Sequence, residues 1–540
     1  MELVYLWVED YKNIKKQGFN FSPQFKCEFK DEYDENGKLK DNCELIIDEN
    51  ENHVNIFSEN INITAIVGEN GSGKSSLIEI IFKILFQDEF RKNRIEYSLE
   101  TYILVFKTSL KNKIYTNNKS LIKKYSIIEK KELLNTYYLL IDFSLGQNPI
   151  YNSKENYKKN YSLEPSRISM TASSGEFLGK IESNAFNNNM KVNAVFFYFF
   201  IKKNKLEKIL EELQLPDLDI LNFLKPSSYS GKNKKEKFEE FKQNNLIFFN
   251  YNFKEIRTYE DLIKILGEDF RNIKIDALSI EDIKEFEKMF YFMSIEIKSN
   301  TELFFENFST GQKLLISYFG IIARSILFRE NKTSFFIVID EIENSLHANW
   351  QKRIIKYLDI FLNAISKLSK ETNEYKLLFL THSPFLLSDL PKENVIFLEK
   401  DEKTGNCINA TNKVDINPFG ANIHTLLSHG FFMKKGLMGE FAKDKIKSII
   451  DYHEELSKKE LTKKENKIQR DEEKEIYEKE HKTKFWQIQS IIGDDYLKQV
   501  IKNHLVEIEK IVLVNDEAKE EEIKRLEAKI ELLRKQNAKS

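Results

Sequence analysis

Residues 61–76 read INITAIVGENGSGKSS. The β-branched run from Ile61 to Val67 predicts a buried strand, and the apolar residues from about Lys74 to Phe86 predict a helix. Between them, Gly68 to Ser75 satisfies the P-loop pattern G-x-x-x-x-G-K-S. In that motif backbone N–H groups turn inward around phosphate oxygens, and the following helix adds the positive end of its dipole. The order strand, glycine-rich turn, helix therefore predicts a phosphate-binding site in an α/β fold.

The P-loop gives its side chains separate tasks. Lys74 supplies a point charge to the phosphates, and the hydroxyl of Ser75 is an expected ligand of Mg²⁺. We therefore expect a nucleotide bound together with Mg²⁺. The residues expected to bind this nucleotide are Gly68, Asn70, Gly71, Ser72, Gly73, Lys74, Ser75 and Ser76.

A second apolar strand is predicted from Ser334 to Ile339, and it ends in two adjacent carboxylates, Asp340 and Glu341. A buried strand in this position delivers acids to a phosphate-bound metal. Asp340 would hold Mg²⁺ or its water, and Glu341 would accept a proton from an attacking water. A solvent-exposed acidic strand end is the alternative, and the P-loop upstream disfavours it.

Two short motifs lie on either side of this strand. Ser309-Thr310-Gly311-Gln312 stands at the start of a predicted helix, and Leu380-Thr381-His382-Ser383-Pro384 follows a predicted strand from Tyr375 to Leu380. Taken alone, Ser309 would also fit an ordinary helix N-cap, and a lone histidine is more often structural. The two motifs become informative through their order along the chain relative to the P-loop and Asp340-Glu341.

The order of the four motifs resembles that of ABC-type ATPases, in which the second motif binds the γ-phosphate of ATP held by another subunit. This resemblance implies an ATP- and Mg²⁺-dependent ATPase whose chains pair head to tail around two ATP molecules. The residues to which it gives roles are Glu341 and His382 in catalysis, Ser309, Gly311 and Gln312 in binding the partner's ATP, and Ser75 and Asp340 in holding Mg²⁺.

The run from Asp340 to His347, DEIENSLH, further resembles the SMC/RecF-like branch of these ATPases. Asn13-Ile14-Lys15 resembles a strand-turn in which that branch often places a basic residue near the nucleotide, although a solvent-facing lysine fits equally well. Gln147 is a weak candidate for the glutamine that ABC-type heads also use, and that metal ligand stays open. The stretch between Lys74 and Ser309 accommodates an inserted lobe but not the long coiled-coil arms of an SMC protein.

Residues 418–427 (PFGANIHTLL), 431–433 (FFM) and 436–442 (GLMGEFA) resemble the segment after the ATPase core in PtuA. The PtuA family supplies the ATPase of Septu anti-phage systems and of retrons that carry them, and the resemblance covers most of residues 1–450. It implies a separate HNH nuclease partner, PtuB, and in retron versions a reverse transcriptase with its RNA–DNA product. We find no HNH cluster here, and residues 400–540 offer only Asp494-Asp495 and Asn515-Asp516, neither of them in the context that a TOPRIM nuclease needs.

Three functional classes stay open. The first is a defence ATPase that regulates a partner nuclease, and the second is a RecF/SMC-like DNA-repair ATPase without one. The third, the nucleotide-binding subunit of a transporter, is disfavoured by the RecF-like N-terminus and the long lobe. A lysine-rich stretch could bind nucleic acid through its phosphates or could simply be solvated surface. Its members are Lys107, Lys111, Lys113, Lys119, Lys123, Lys124, Lys130 and Lys131.

The composition excludes other kinds of protein. The 540 residues carry 83 Lys and Arg against 85 Asp and Glu, a net charge of −2, so there is no global attraction to nucleic acid or anionic membrane. The scattered Cys27, Cys43 and Cys407 offer no C-x-x-C spacing for zinc and no disulfide framework. The N-terminus is acidic where a signal peptide needs basic residues. We expect a cytoplasmic protein with no membrane partner.

The remaining pattern predicts an α/β head with an inserted lobe and a C-terminal helical region. We expect boundaries at 1–90, 91–300, 301–400 and 401–540. Strands are predicted at Tyr102–Phe106, Tyr137–Phe143 and Val192–Ile201, where the last apolar run is too short to span a bilayer. A helix after Asp340 is expected to carry one buried stripe, formed by Trp350, Ile354, Leu358, Phe361 and Ile365. A final helix carries Ile523, Leu526, Ile530 and Leu533 at heptad spacing, which fits either a coiled coil or a capping helix.

Overall fold

The structure is a computed structural model of the chain. It describes residues 1–51, 53–85, 99–108, 111–133, 136–142, 183–223, 247–248, 251–252, 261, 264, 270–290, 295–327, 334–344, 346–368, 373–427, 438–459, 461, 466–513, 520, 523–527 and 530–531. The chain forms two compact units, Met1–Lys434 and Lys435–Ser540. We call them the head unit and the C-terminal unit.

The strands in the described part of the chain all belong to the head unit. In chain order they are β1 Glu2–Tyr11, β2 Ile14–Asn20, β3 Phe25–Lys30, β4 Glu44–Glu49, β5 Ile61–Gly68, β6 Tyr102–Lys107, β7 Asn112–Thr116, β8 Thr136–Asp142, β9 Ile220–Phe223, β10 Ile247–Phe248, β11 Tyr251–Asn252, β12 Ile273–Lys274, β13 Ile295–Lys298, β14 Ser334–Asp340, β15 Glu374–Thr381, β16 Val395–Lys400 and β17 Cys407–Asn409.

The helices occur in both units. Those of the head unit are α1 Lys74–Leu85, α2 Lys130–Leu133, α3 Ser183–Lys203, α4 Glu207–Glu212, α5 Ile280–Phe290, α6 Thr310–Leu327, α7 Ala348–Gln351, α8 Ile354–Leu368, α9 Pro384–Leu387 and α10 Ile423–Thr425. Those of the C-terminal unit are α11 Glu440–Lys458, α12 Lys467–Ile476, α13 Lys482–Ile491 and α14 Asp495–Val512, with a π-helical turn at Tyr477–His481 between α12 and α13.

One large mixed sheet organises the head unit. Ten described strands lie in the order β7-β6-β1-β2-β17-β16-β5-β15-β14-β8. The five from β16 to β8 run parallel to one another, and β7, β6, β1 and β2 are joined by antiparallel pairs. The predicted α/β fold class is confirmed: the P-loop strand is part of a parallel core, and a C-terminal helical region follows.

Both faces of the parallel core are covered, so its strands can be apolar throughout. Along β5, Ile63, Ala65 and Val67 pack into one hydrophobic core with α3, α6 and α8. Ile66 points to the opposite face, where a second core contains the apolar residues of α1. This alternation follows from the two-residue period of a strand, and it fixes the direction in which β5 delivers the P-loop.

The prediction of a strand at Val192–Ile201 is wrong, because these residues form the C-terminal half of α3. Every side chain from Ala194 to Ile201 is at most 2% exposed. A helix surrounded by protein on all sides is apolar on all sides, and a continuous apolar run carries no periodicity that separates it from a buried strand. The burial was predicted correctly, and the secondary structure was not.

The other predicted elements are found close to their expected bounds. The strands expected from Ile61, Tyr102, Ser334 and Tyr375 are β5, β6, β14 and β15. The expected stripe on α8 is buried, with Ile354, Leu358, Phe361 and Ile365 at most 3% exposed and Trp350 of α7 packed beside them.

The C-terminal unit has its own hydrophobic core, formed by α11, α13, α14 and the π-helical turn. Glu509 is 2% exposed in this core, and it accepts hydrogen bonds from Tyr477, Trp486 and both terminal nitrogens of Arg525. Arg525 lies in the helical residues 523–527, and Leu533 of the predicted final helix lies outside the described residues. A buried carboxylate thus fastens this short helix to α14.

Candidate nucleotide-binding site

The sheet brings three of the four motifs to one edge. Strand β15 lies between β5 and β14, and all three are parallel. In the register of the sheet Asp340 pairs with Leu380, and Thr381 pairs with Val67. The P-loop, the His382 loop and Asp340-Glu341 therefore leave the carboxyl ends of three adjacent strands, which is where α/β sheets bind ligands.

The P-loop has the backbone conformation that phosphate binding requires. Gly73 has a φ of +109°, a region that side-chain-bearing residues rarely adopt, and an added Cβ would lie 3.1 Å from the Cβ and Sγ of Cys407. Gly71 also has a positive φ, +79°. Helix α1 starts at Lys74, and the amide of Leu77 donates to the carbonyl of Gly73 at 2.9 Å. The loop amides and the helix N-terminus thus share one small concave site.

Lys74 is 7% exposed. Its Nζ donates to the carbonyl oxygens of Gly68 and Glu69, at 2.9 Å and 3.3 Å. Burial lowers the pKa of this ammonium, and the charges of Glu341 and Asp340 act in the opposite direction. The lysine therefore lies inside the loop, near enough to the carboxylates at the end of β14 for their charges to act on it.

The serines of the P-loop divide into buried and exposed members. The Oγ of Ser72 is buried without a hydrogen-bond partner among the described residues, and a buried polar atom of this kind fits a loop that binds a polar ligand. Ser75 is exposed and Ser76 half-buried at the start of α1, and Asn70 is exposed at the tip of the loop. These are the positions expected for groups that contact phosphate and its metal.

Glu341 follows β14 in an unusual backbone conformation. Its φ is +46°, which is rare for a residue other than glycine, and such residues concentrate at functional sites. Its amide donates to the carbonyl of Leu380 at 2.9 Å, and the side-chain amide of Asn344 donates to its Oε2 at 2.7 Å. The carboxylate is therefore held on the β15 side of Asp340, and it is 36% exposed.

His382 lies against this carboxylate. Its Nε2 is 3.7 Å from Oε1 of Glu341. Burial lowers the pKa of the imidazole, the charge of Lys74 lowers it further, and Glu341 opposes both. A neutral imidazole at pH 7 carries one N–H donor and one acceptor nitrogen. The pair can therefore hold a water molecule from two sides.

The residues present fit a Mg²⁺ ion bound together with a nucleotide. Among the described residues, no three His, Cys, Asp or Glu side chains are grouped to hold a metal by themselves. Mg²⁺ in nucleotide sites takes one or two protein ligands and completes its shell with phosphate oxygens and water. The hydroxyl of Ser75 and the carboxylate of Asp340 supply ligands of that kind.

The remaining motif, Ser309 to Gln312, lies at the N-terminus of α6. Ser309 caps α6 in a capping box: its Oγ accepts from the amide of Gln312 at 3.3 Å, while Gln312 Oε1 accepts from the amide and hydroxyl of Ser309. Ser309 is exposed, Gln312 half-buried and Gly311 buried. The hydrogen bonds of Ser309 stay within its own helix turn, and none of them joins it to the P-loop of the same chain.

Several residues at the site were not predicted from the sequence. The side-chain amide of Asn13 donates to the carbonyl of Gly71 at 3.2 Å, and the Nζ of Lys400 would lie 4.0 Å from a Cβ at Gly71. In the same turn as Asn13, Lys15 pairs with Asp10 at the surface. Only the resemblance of Asn13-Ile14-Lys15 pointed to this turn, and it pointed to the lysine. Gln147 lies outside the described residues.

Glu343 was also not assigned a role. Its Oε1 accepts from the hydroxyl of Thr381 at 2.8 Å and from the amide of His382. Its Oε2 is buried without a hydrogen-bond partner among the described residues. Burial raises the pKa of this carboxyl, and the hydrogen bond from the His382 amide opposes the increase.

The lysine-rich stretch is partly neutralised by neighbouring groups. Lys113 forms an ion pair with Glu132 at 2.5 Å, and Lys107 donates to Oε1 of Gln24 at 2.6 Å. Lys111, Lys119 and Lys123 are exposed. Binding of nucleic acid at this surface stays a prediction.

Two comparisons of sequence place the chain near known proteins. Residues 194–388 match a family described as "AAA domain, putative AbiEii toxin, Type IV TA system". That segment contains the last three motifs and begins after the P-loop. The chain is also 24% identical over 416 residues to the Retron Vc95 probable ATPase of Vibrio cholerae serotype O1 biovar El Tor, covering 68% of this chain and 74% of the relative. It is 24% identical over 162 residues to the Retron Ec83 probable ATPase of Escherichia coli, covering 29% of this chain and 26% of that relative.

Comparison of structures finds SMC head domains. A crystal structure of the SmcHead bound to the C-winged helix domain of ScpA covers 77% of this chain at 13% identity, with a TM-score of 0.28. The SMC head domain from Thermotoga maritima covers 75% of this chain at 14% identity, with a TM-score of 0.26. At these scores the superpositions are loose, and the fold described above rests on strand order and motif placement. Among the described residues, no helix is both long and apolar enough to cross a membrane.

Proposed function

We propose that this chain is the ATP-binding and ATP-hydrolysing subunit of a PtuA-like anti-phage defence complex, of Septu or retron-associated type. The observation that carries the ATPase proposal is the convergence of the P-loop, Asp340-Glu341 and His382 at the ends of three adjacent parallel strands. The names of the two relatives, both retron probable ATPases, support the defence context.

In this proposal the P-loop amides, Lys74 and Ser75 bind the phosphates of ATP. Ser75 and Asp340 would hold Mg²⁺, which would supply positive charge to stabilise the charge developing on the phosphates. Glu341 accepts a proton from the attacking water, and the neutral imidazole of His382 hydrogen-bonds the same water or the γ-phosphate. The 3.7 Å between their side chains is compatible with one water held by both.

The exposed position of Ser309 supports a proposal of pairing. The N-terminus of α6 is exposed, and the positive end of its dipole favours an anion. We propose that Ser309, Gly311 and Gln312 bind the γ-phosphate held by a second chain, in a head-to-tail pair that closes on ATP and opens after hydrolysis. The pair would regulate a separate nuclease, PtuB in Septu systems, with a reverse transcriptase and its RNA–DNA product in retron versions. The cytoplasm is the expected location.

The test of the ATPase proposal is Glu341→Gln. The substitution removes the base but keeps the size of the side chain and its hydrogen bond from Asn344. We expect the affinity for ATP to be retained, kcat to fall roughly a hundred-fold or more, and ATP-bound pairs to accumulate. ATP binding, phosphate release and sedimentation with ATP measure the three quantities.

Glu393→Gln is the matched control, because Glu393 is an exposed carboxylate on the turn before β16. It is expected to behave like the parent. Normal turnover in Glu341→Gln would remove Glu341 as the base, and no turnover in the parent with any nucleotide would remove the ATPase proposal. Co-purification with a small HNH protein tests the defence role, and ATP-dependent loading on gapped DNA without such a partner would favour the DNA-repair alternative.

A further inference from the structure

The carboxylate of Glu343 connects the turn after β14 to the loop after β15. It lies three residues beyond Asp340, and its Oε1 accepts hydrogen bonds from the hydroxyl of Thr381 and from the backbone amide of His382. The amide of Ser383 donates in turn to Oγ1 of Thr381 at 2.9 Å. One oxygen atom thus fixes three consecutive residues of the histidine loop, directly or through one neighbour.

Gln351, the last residue of α7, joins the same two segments a second time. Its Nε2 donates to the carbonyl oxygens of Glu343 and Leu346, at 3.3 Å and 2.9 Å. Its Oε1 accepts from the hydroxyl of Ser383 at 2.7 Å. The hydrogen bonds of Glu343 and Gln351 therefore form a closed ring around the turn after β14 and the histidine loop.

The second oxygen of Glu343 argues against a purely stabilising role. Oε2 is buried and has no hydrogen-bond partner within the described part of the chain. A buried polar atom without a partner destabilises the folded state, and a carboxylate that served stability alone would be better replaced by a neutral amide or an apolar residue. The carboxylate therefore calls for a role beyond stability, and the hydrogen bonds of its Oε1 direct that role to the histidine loop.

We propose that Glu343 is a positioning residue for ATP hydrolysis: its carboxylate fixes the backbone of residues 381–383 so that the imidazole of His382 faces Glu341. The inference rests on the proposed function, because His382 and Glu341 are the catalytic pair of that proposal. Glu343 acts through the backbone amide of His382 itself, so a displaced carboxylate displaces the ring. The distance that Glu343 would maintain is the 3.7 Å between His382 Nε2 and Glu341 Oε1.

The experiment compares Glu343→Ala, Glu343→Gln and the control Glu393→Ala in the full chain. Each variant is assayed for kcat of ATP hydrolysis and for the dissociation constant of a non-hydrolysable ATP analogue. Glu343→Ala is expected to lower kcat roughly a hundred-fold, because a misplaced catalytic group forfeits about that factor. The dissociation constant should change less than about two-fold, since the P-loop is untouched.

Glu343→Gln provides a partial rescue. Its carbonyl oxygen can still accept from Thr381 and His382, while its NH₂ group replaces the oxygen that has no partner. We expect its kcat to lie between those of the parent and Glu343→Ala, within about ten-fold of the parent. A kcat for Glu343→Gln as low as that of Glu343→Ala would mean that the negative charge, not the hydrogen-bond geometry, is what matters, and it would overturn the positioning role.

A double-mutant cycle with His382→Ala separates a positioning role from a merely structural one, because only a positioning role predicts that the losses of kcat are not additive. If Glu343 acts through His382, then Glu343→Ala should lower kcat no further in the His382→Ala background. Additive losses would overturn the proposal. Should Glu343→Ala fail to fold, Thr381→Val replaces it in the cycle, because it removes a hydroxyl of the same ring and is expected to show the same non-additivity.

The two proposals fail in different ways. If the parent hydrolyses ATP and Glu343→Ala matches it in kcat, the positioning role is wrong while the proposed function stands. If neither the parent nor Glu393→Ala hydrolyses ATP, the proposed function is wrong, and the positioning role falls with it.

Discussion

Lys376 carries an ammonium group into the interior of the head unit. The residue is 6% exposed, and its Nζ donates to the carbonyl of Phe21 and, at 3.1 Å, to the hydroxyl of Thr64, with Oε1 of Glu2 at 3.5 Å. Burial lowers the pKa of this group to about 8 from its usual 10.5, although Glu2 opposes the shift. The lysine of the folded chain therefore loses its proton more readily than that of the unfolded chain.

This shift predicts how stability depends on pH. Between pH 8 and 10.5 the unfolded chain still holds the proton that the folded chain has released, so the contribution of Lys376 to stability rises with pH. From pH 7.5 to pH 9.5 the parent should gain about 2 kcal/mol of unfolding free energy relative to Lys376→Met. Urea unfolding at the two pH values measures the difference, and a difference that does not change with pH would contradict the shift.

At the scale of single residues, the sequence predicts those whose chemical role belongs to a motif of fixed spacing. Lys74, Ser75, Asp340 and His382 all stand at one edge of the sheet, because strand-ending motifs in parallel strands must meet there. Glu343 could not be assigned in the same way. Its partners are a backbone amide and a hydroxyl on another strand, and nothing in the local sequence indicates which strand lies beside β14.

At the scale of elements, α3 and α6 pack more closely than ordinary side chains allow. A Cβ added to Gly320 of α6 would lie 2.0 Å from the carbonyl oxygen of Asn193 in α3. Because that neighbour is backbone, it cannot move aside without moving a helix. The close approach sets the distance between the helix that carries the Ser309 motif and the buried helix of the lobe.

Gly320→Ala is therefore expected to lower the unfolding free energy by roughly 1–3 kcal/mol or more, since overpacking forces backbone shifts. Gly493→Ala is the control, because nothing lies within 4 Å of a Cβ there. Thermal unfolding compares the two with the parent. If Gly320→Ala melts with the parent, the two helices are farther apart than described.

The helix α3 also marks where prediction from sequence ends. Its residues 194–201 are apolar on every face, because protein surrounds the helix on every side, and periodicity then carries no information. Strand β14 is equally apolar, and it was predicted correctly because a strand-ending acidic pair follows it. The element was decided by its flanking motif rather than by its own composition.

The N-terminus of α6 allows capping and ligand binding to be separated. Asp is as good an N-cap as Ser, whereas Ala is poor. Ser309→Asp should keep the stability of the parent within about 0.5 kcal/mol, and Ser309→Ala should lose about 1 kcal/mol. In contrast, a carboxylate at Ser309 would repel the partner's γ-phosphate, so ATP-dependent pairing should be lost in Ser309→Asp. Sedimentation with ATP in the Glu341→Gln background measures pairing, and normal pairing of Ser309→Asp would reduce Ser309 to a helix cap.

At the scale of the whole molecule, the head unit holds one P-loop and one Ser309 motif, and the hydrogen bonds of Ser309 end within its own helix. A site built from the P-loop of one chain and the N-terminus of α6 of another chain would use both motifs. Only the order of the motifs in the sequence indicated that the site is divided between two chains. No local pattern shows that the Ser309 motif of one chain meets the P-loop of another. The expected head-to-tail pair thus depends on the geometry of two chains.

The most direct test mixes two inactive variants. Lys74→Ala is expected to lose ATP binding but to keep an intact Ser309, whereas Ser309→Asp keeps an intact P-loop. If ATP is shared between chains, mixed pairs contain one complete site, formed by the P-loop of the Ser309→Asp chain and the α6 terminus of the Lys74→Ala chain. We predict that the mixture hydrolyses ATP well above the sum of the separate variants. A mixture no more active than that sum, with both variants folded like the parent, would contradict a site shared between two chains.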